Sequence, residues 1–310
     1  MSGASPLKTT NPRENLLRAL TKTSLLVGEG TAKPRRSSSR RSLKNLFNVK
    51  DKVVLITGGS RGIGKMIATG FIRNGAKVYI SSRSAKSCEE TAVELNALGP
   101  GKCIPLPANL AQYEEVERVS NDLAAKEPVL HVLINNAGAA WGDSLDDFPD
   151  AAFSKLLTLN LQRVFTLTQK LLPLLRAAAA LSKDGETYAD PARIINIGSV
   201  EGIAVPLHET YAYSASKAAL HHLSRHLGGR LGPEGIVSNT IACGPFPTKM
   251  TAHSLEAAKD IFTSTIPLRR LGKPEDVAGT ALFLASPAGA FVNGATITLD
   301  GGMLVSMTKL

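Results

Sequence analysis

At 310 residues, 43% hydrophobic and 20% charged, the chain has the composition of a soluble protein able to bury a large core. Its longest apolar runs fall well short of the roughly 18 residues that a membrane span needs, and three cysteines (Cys88, Cys103, Cys243) without CxxC spacing argue against a disulfide framework or zinc site and for a reducing compartment. The net charge of +10 is concentrated in residues 1–50, where 11 Lys/Arg face two acids; the remaining 25 basic and 24 acidic residues leave a near-neutral body, so no nucleic-acid surface is expected.

Residues 1–50 read as a basic, Ser/Arg-rich extension, disordered or targeting. Asn11-Pro12-Arg13-Glu14 has the form of a helix start, followed by Leu16, Leu17 and Leu20, and PRRSSSRRS occupies 34–42. An Arg- and Ser-rich, acid-poor N-terminus is the composition of a mitochondrial transit peptide and equally of a solvated, phosphorylatable tail. Expected locations are therefore the cytoplasm or the mitochondrial matrix. The terminal Thr308-Lys309-Leu310 is a poor match to a peroxisomal signal.

From Lys52 the pattern changes to alternating strands and helices. Val53–Ile56 is a buried strand, followed by the glycine-rich turn Thr57-Gly58-Gly59-Ser60-Arg61-Gly62-Ile63-Gly64 and a helix carrying Ile67, Ala68, Phe71 and Ile72. Such a turn lets backbone approach a pyrophosphate at the helix N-terminus, whose free N–H groups and dipole favour anions. A plain tight turn accounts for the same glycines. Gly75 stops the helix and Lys77–Ile80 supplies a second strand, completing a βαβ unit. Where an NAD-selective site carries an acid for the ribose 2′-hydroxyl, this chain has Ser81-Ser82-Arg83, and Arg61 projects from the glycine turn. Two arginines without a carboxylate point to NADP(H), although each alone reads as a surface charge.

A helix over Ser87–Leu98 and a strand at Cys103–Leu106 follow, then Asn109-Leu110, a helix over about 112–126, and a strand at Val129–Ile134 running into Asn135-Asn136-Ala137-Gly138. Those small residues and Asn can line a cofactor groove, or form an ordinary turn. A long helical region from about Ala151 to Leu181 contains Asn160, with a kink or break expected at Pro173. Residues 182–192 are a polar excursion.

The strand Ile194–Ile197 ends at Gly198, which puts Ser199 where side chains of open α/β sheets face a ligand crevice. Past a loop with Gly202 and Pro206, Tyr213 begins a helical pattern in which Lys217 stands one turn along the same face. An ammonium there is expected to favour the phenolate and lower the phenol pKa from its usual value near 10. Tyr and Lys at this spacing also occur by chance. The chain continues with a strand at Ile236–Ile241, a segment of about 245–270 that reads as a substrate lid, a helix capped by Pro274-Glu275-Asp276, and a last strand from Ala295 into Gly301-Gly302. The fold class is α/β: a single Rossmann-like, doubly wound parallel sheet of six or seven strands with helices on both faces, over residues 51–310.

With TGGSRGIG at 57–64, NNAG at 135–138, Asn160, Ser199, YSASK at 213–217 and LDGG at 299–302, residues 51–303 resemble the short-chain dehydrogenase/reductase family. NNAGAAWG, ARIINIGSV, YAYSASKAALHHLSRHL and GPFPTKMT are most similar to its NADPH-dependent 3-oxoacyl reductases of the rhamnolipid-biosynthesis type.

The resemblance implies reduction of a ketone to a secondary alcohol, on a 3-oxoacyl thioester. Tyr213 would protonate the carbonyl oxygen, Lys217 bind the nicotinamide ribose and depress the Tyr213 pKa, Ser199 position the carbonyl, and Asn160 hold a water leading to Lys217. Gly58, Ser60, Arg61, Ile63 and Arg83 would bind phosphates and ribose, and Asn136, Ala137 and Gly138 would line the groove. Asn109 and Leu110 would meet the adenine, and Gly244, Phe246 and Thr248 the nicotinamide end. Two departures stand out: Cys243 replaces a usual Pro, and Asn109 replaces a common Asp.

The alternatives are another ketone (polyol, steroid or secondary metabolite) or a non-catalytic NADP(H)-binding scaffold. Trp141, Phe246, Met250 and Phe262 give the expected pocket an apolar leaning, which core packing explains equally well. The implied assembly is a homotetramer or homodimer, and no metal is implied.

Overall fold

The computed structural model describes residues 45–206, 208–251 and 263–306, and Leu43–Leu310 form one compact unit. The greater part of the N-terminal extension, Phe262 and the C-terminal Thr308-Lys309-Leu310 lie outside the described residues. The body reaches back beyond residue 51: Val49 is fully buried, and Leu46 accepts a backbone hydrogen bond from Ala288.

Seven strands form one parallel sheet: β1 (Val53–Thr57), β2 (Lys77–Ser81), β3 (Lys102–Pro105), β4 (Val132–Asn135), β7 (Ala192–Ser199), β8 (Ile236–Cys243) and β9 (Thr296–Leu299). Their spatial order is β3-β2-β1-β4-β7-β8-β9. The chain winds outward from β1 to β3 and then returns to the other side of β1, so the topological switch point lies at the carboxyl ends of β1 and β4.

Alternate side chains feed two cores. Val54, Ile56, Val132, Ile134, Ile195, Ile197 and Ile241 pack beneath α1 (Gly62–Arg73) and α7 (Pro274–Ala285). Val53, Leu55, Leu133, Ile194 and Ile236 pack on the other face with α3 (Tyr113–Ala124), α5 (Arg163–Ala180) and α6 (Tyr211–Leu231). Burial on both faces explains why these strands read as continuous apolar runs. The remaining helices are α2 (Ala85–Asn96) and α4 (Asp150–Leu157). No helix among the described residues is long and apolar enough to cross a membrane.

Three local features differ from the sequence reading. The long helical region is interrupted at Asn160, where a π turn (Thr158–Gln162) separates α4 from α5, and not at Pro173. The helix continues through Pro173 because Leu167, Leu171 and Leu175 anchor the turns on either side of it in the core, offsetting the lost hydrogen bond. The polar excursion contains a short antiparallel hairpin, β5 (Lys183–Asp184) with β6 (Thr187–Tyr188). Finally, α6 begins at Tyr211, two residues before the expected Tyr213.

At the opposite edge of the sheet from the carboxyl ends, Asp190 joins two buried cations. Lys52 Nζ lies 3.1 and 3.0 Å from its two oxygens, and Arg193 Nη2 lies 3.0 Å from Oδ1. Arg193 is 1% exposed and also donates to the carbonyls of Leu284 and Ser286, tying β7 to the end of α7.

Candidate active site

The carboxyl ends of the strands open into one cleft of about 1920 Å³. It is larger than a typical small-molecule pocket of about 300–1,000 Å³, leaving space for a dinucleotide and a second ligand. At the switch point, Gly58 has φ +65° and Gly62 φ +54°, conformations that favour glycine. A Cβ on Gly64 would lie 2.3 Å from the Gly58 carbonyl oxygen, and one on Gly58 would lie 2.7 Å from Asn136 Nδ2. The turn is thus packed as tightly as glycine allows.

Asn136 locks this turn to the end of β4. Its side-chain amide donates to the carbonyls of Thr57 (2.8 Å) and Gly58 (3.2 Å). The backbone amides of Asn136 and Ala137 both donate to Thr57 Oγ1 at 2.9 Å. Ser60 Oγ donates to Ser82 Oγ at 2.9 Å, joining the glycine turn to the end of β2. Arg61 and Arg83 are exposed on the cleft wall with Asn109 and Leu110, and no acidic side chain follows β2 there.

The other half of the site hangs on one polar stripe of α6. Tyr213, Lys217, His221 and Ser224 recur at intervals of four, four and three residues, which places them on one helical face against β7. Lys217 Nζ donates to the Ile197 carbonyl at 2.7 Å. Ser224 Oγ accepts from Asn196 Nδ2 at 3.0 Å, and His221 Nε2 accepts from the Ser199 amide at 3.4 Å. Ser199 Oγ accepts from the Glu201 amide at 3.2 Å, and its hydroxyl stands close enough to the Tyr213 phenol to favour the phenolate. Lys217 Nζ lies 5.6 Å from the centre of the Tyr213 ring.

The electrostatics depart from expectation. Burial pushes the Tyr213 phenol above its usual range, the hydrogen bond from Ser199 opposes that rise, and the Glu201 carboxylate adds to it. The net direction is upward, opposite to the lowering expected from the nearby ammonium. Burial brings Lys217 itself down to about 8, with Glu201 acting in the opposite direction. Burial pushes the Cys243 thiol up to about 12, so it is a protonated wall of the cleft at neutral pH.

Gly58, Ser60, Arg61, Ile63, Arg83, Asn109, Leu110, Asn136, Ala137, Gly138, Ser199, Tyr213, Lys217, Gly244, Phe246 and Thr248 all border this cleft. Asn160 does not. It is 1% exposed; its Oδ1 accepts from the Ala139 amide at 3.0 Å, while Nδ2 donates to the Ala139 carbonyl at 2.9 Å and to Ser216 Oγ at 3.1 Å. Its side chain therefore braces the groove loop against α6. Met250 lines the cleft, whereas Trp141 is exposed outside it. The segment read as a lid contributes Pro245, Phe246, Thr248–Thr251, Ser264, Thr265, Pro267 and Arg269 to the wall.

The sequence reading missed Glu201, His221 and the C-terminal Met303–Ser306, which closes part of the cleft. Extending the four-residue periodicity of Tyr213 and Lys217 by one more turn reaches His221; no comparable signal marks Met303–Ser306. Among the described residues no group of three or more His, Cys, Asp or Glu forms a metal site.

A family model described as enoyl-(acyl carrier protein) reductase matches residues 58–304. A rhamnolipids biosynthesis 3-oxoacyl-[acyl-carrier-protein] reductase of Pseudomonas aeruginosa is 43% identical over 258 residues, covering 83% of this chain and 97% of that protein. The 3-oxoacyl-[acyl-carrier-protein] reductase FabG of Thermotoga maritima is 32% identical over 259 residues, covering 84% of this chain and 100% of its own. The solved Pseudomonas aeruginosa RhlG/NADP active-site complex superimposes with a TM-score of 0.78 and 42% identity, covering 84% of this chain and 98% of that one. The match spans the sheet, the glycine turn and the Tyr213–Lys217 stripe together: the chain belongs to the short-chain dehydrogenase/reductase family.

Proposed function

We propose that the protein is an NADPH-dependent reductase that converts a ketone to a secondary alcohol, with a 3-oxoacyl thioester as substrate. The observation that carries this reading is the convergence of Tyr213, Ser199 and Lys217 on the cleft beside a glycine turn flanked by two arginines. The relatives named for 3-oxoacyl-[acyl-carrier-protein] reduction, and the NADP complex of RhlG, support the substrate and the cofactor.

The residues fit the cofactor. The turn from Gly58 to Gly64 is held close by glycines that pack on Asn136 and on the turn itself, so its backbone and the start of α1 would receive the pyrophosphate, and Arg61 and Arg83 on the cleft wall would meet a 2′-phosphate that an acid in their place would repel. When bound, NADPH supplies the hydride to the carbonyl carbon. Ser199 donates a hydrogen bond to the carbonyl oxygen and fixes it in front of Tyr213. Tyr213, kept protonated by burial, gives its phenolic proton to that oxygen as negative charge develops. Lys217 would hold the ribose hydroxyls, and it carries positive charge at neutral pH. Asn160 positions the groove loop and α6 through its side chain.

The apolar wall of Val200, Ala204, Val205, Met250 and Leu304 suits an acyl chain. Exposed Phe153 and Phe165 on α4 and α5 support a homotetramer or homodimer, and three free cysteines support a reducing compartment.

The test is to follow NADPH oxidation with a 3-oxoacyl-CoA. The Arg61→Ala/Arg83→Ala double variant is expected to raise the KM for NADPH by about tenfold or more, the scale of one or two lost charge-assisted hydrogen bonds, while leaving the KM for NADH near its starting value. Equal losses with both cofactors would remove the arginines from the 2′-phosphate site.

A further inference from the structure

The imidazole of His221 is 3% exposed and lies directly under the loop that carries Ser199. Two glycines make room for it. A Cβ on Gly198 would lie 2.1 Å from His221 Nε2, and one on Gly202 would lie 2.8 Å from His221 Cε1. The ring thus sits between the residue before Ser199 and the end of the short 3₁₀ turn Val200–Gly202, in space that any other side chain at either glycine would fill. Its Nε2 accepts from the Ser199 amide at 3.4 Å. An amide N–H only donates, so Nε2 is the unprotonated nitrogen and the ring proton resides on Nδ1. Burial, with Lys217 and Arg225 beside it, holds the imidazole pKa down at about 4, and the ring stays neutral at physiological pH.

We propose that His221 is the positioning residue for Ser199: wedged between Gly198 and Gly202, it fixes the backbone from which the Ser199 hydroxyl meets the substrate carbonyl. This rests on the function proposed above, in which Ser199 touches that carbonyl. Ser199 is then held from two directions, by His221 at its amide and by the Glu201 amide at its Oγ. That hydrogen bond from Glu201 occupies an acceptor lone pair of the hydroxyl and leaves its proton available for Tyr213 and the substrate. His221 touches no reacting atom, and its effect passes wholly through Ser199.

The test is a double-mutant cycle on the full chain, reading kcat and KM for the ketone and the dissociation constant of NADPH. His221→Asn keeps a polar side chain that stops short of the Ser199 amide; His221→Gln places an oxygen at about the reach of Nε2. His221→Asn is expected to lower kcat about tenfold with NADPH affinity within about twofold of wild type, and His221→Gln to recover most of the loss. In a Ser199→Ala background, adding His221→Asn is expected to lower kcat by less than about twofold more, because the group it positions is gone.

Full additivity of the two substitutions overturns the proposal, as does an unchanged kcat in His221→Asn or a His221→Gln no better than His221→Asn. A Ser199→Ala variant with undiminished kcat overturns the proposed function itself and this inference with it. Should His221→Asn fail to fold, ¹⁵N shifts of histidine in the wild-type protein decide: a proton on Nδ1 of His221 supports the arrangement, and one on Nε2 refutes it.

Discussion

Replacing Tyr213 with Phe is expected to lower kcat for ketone reduction by about 10³-fold, within the range that a positioned proton donor contributes, while NADPH still binds. The substitution removes one oxygen from a ring whose packing is otherwise retained, so the loss reports the proton and not the fold. Burial keeps the phenol protonated well above neutral pH, so Tyr213 is ready as an acid before substrate arrives. The alkaline limit of the wild-type enzyme then belongs to Lys217, whose pKa burial has brought down to about 8. Its ammonium is present below that value and lost as pH rises through it. kcat/KM for reduction should therefore fall above pH about 8 and be flat just below. A Lys217→Arg variant should lose that limb, since a guanidinium stays charged. Activity retained in Tyr213→Phe, or a limb unmoved in Lys217→Arg, would contradict these assignments.

The second large effect lies far from the cleft. Asp190→Ala is expected to destabilise the fold by about 3 kcal/mol or more, the cost of breaking a buried ion pair by removing one partner. Asp190 serves both Lys52 and Arg193, whose side chains are 10% and 1% exposed. Arg193, the more deeply buried of the two, is left with its charge in the interior. Arg193 keeps its donations to the Leu284 and Ser286 carbonyls in the variant, but these dipoles do not neutralise its charge. Urea unfolding measures the change; a loss below about 1 kcal/mol would mean that solvent already screens the cluster as it does a surface pair.

Much of this architecture was legible because local pattern and tertiary fate agree. The runs at Val53–Ile56 and Val78–Ile80 are uninterrupted because both faces of the sheet are covered, whereas Ile236–Ile241 carries buried Ser238, Asn239 and Thr240 and is marked as a strand by the β-branched residues around them. The glycine turn was legible for a related reason: only a backbone required to pass within contact distance of Asn136 and of itself needs glycine at Gly58 and Gly64.

What escaped the sequence depends on the third dimension. Pro173 is a stronger local breaker than Asn160, yet the break falls at Asn160, whose side chain takes both polar groups of Ala139 from another loop. The net direction at Tyr213 depends on the assembled structure in the same way. Spacing on a helix shows that Lys217 is near, but burial of both groups is a property of the assembled cleft, and here it outweighs the pair. Gly198 reads as a strand end and Gly202 as a loop glycine until His221 is seen between them.

Ketone reduction at Tyr213 is tested by following deuterium from the C4 position of NADPH into product, with a 3-oxoacyl-CoA and the matching enoyl-CoA as parallel substrates. The expected product is a 3-hydroxyacyl thioester labelled at the carbinol carbon, with no consumption of the enoyl thioester, and it is lost in Tyr213→Phe. Label appearing only in a saturated acyl chain, or NADPH binding without any turnover of ketone, would contradict this assignment.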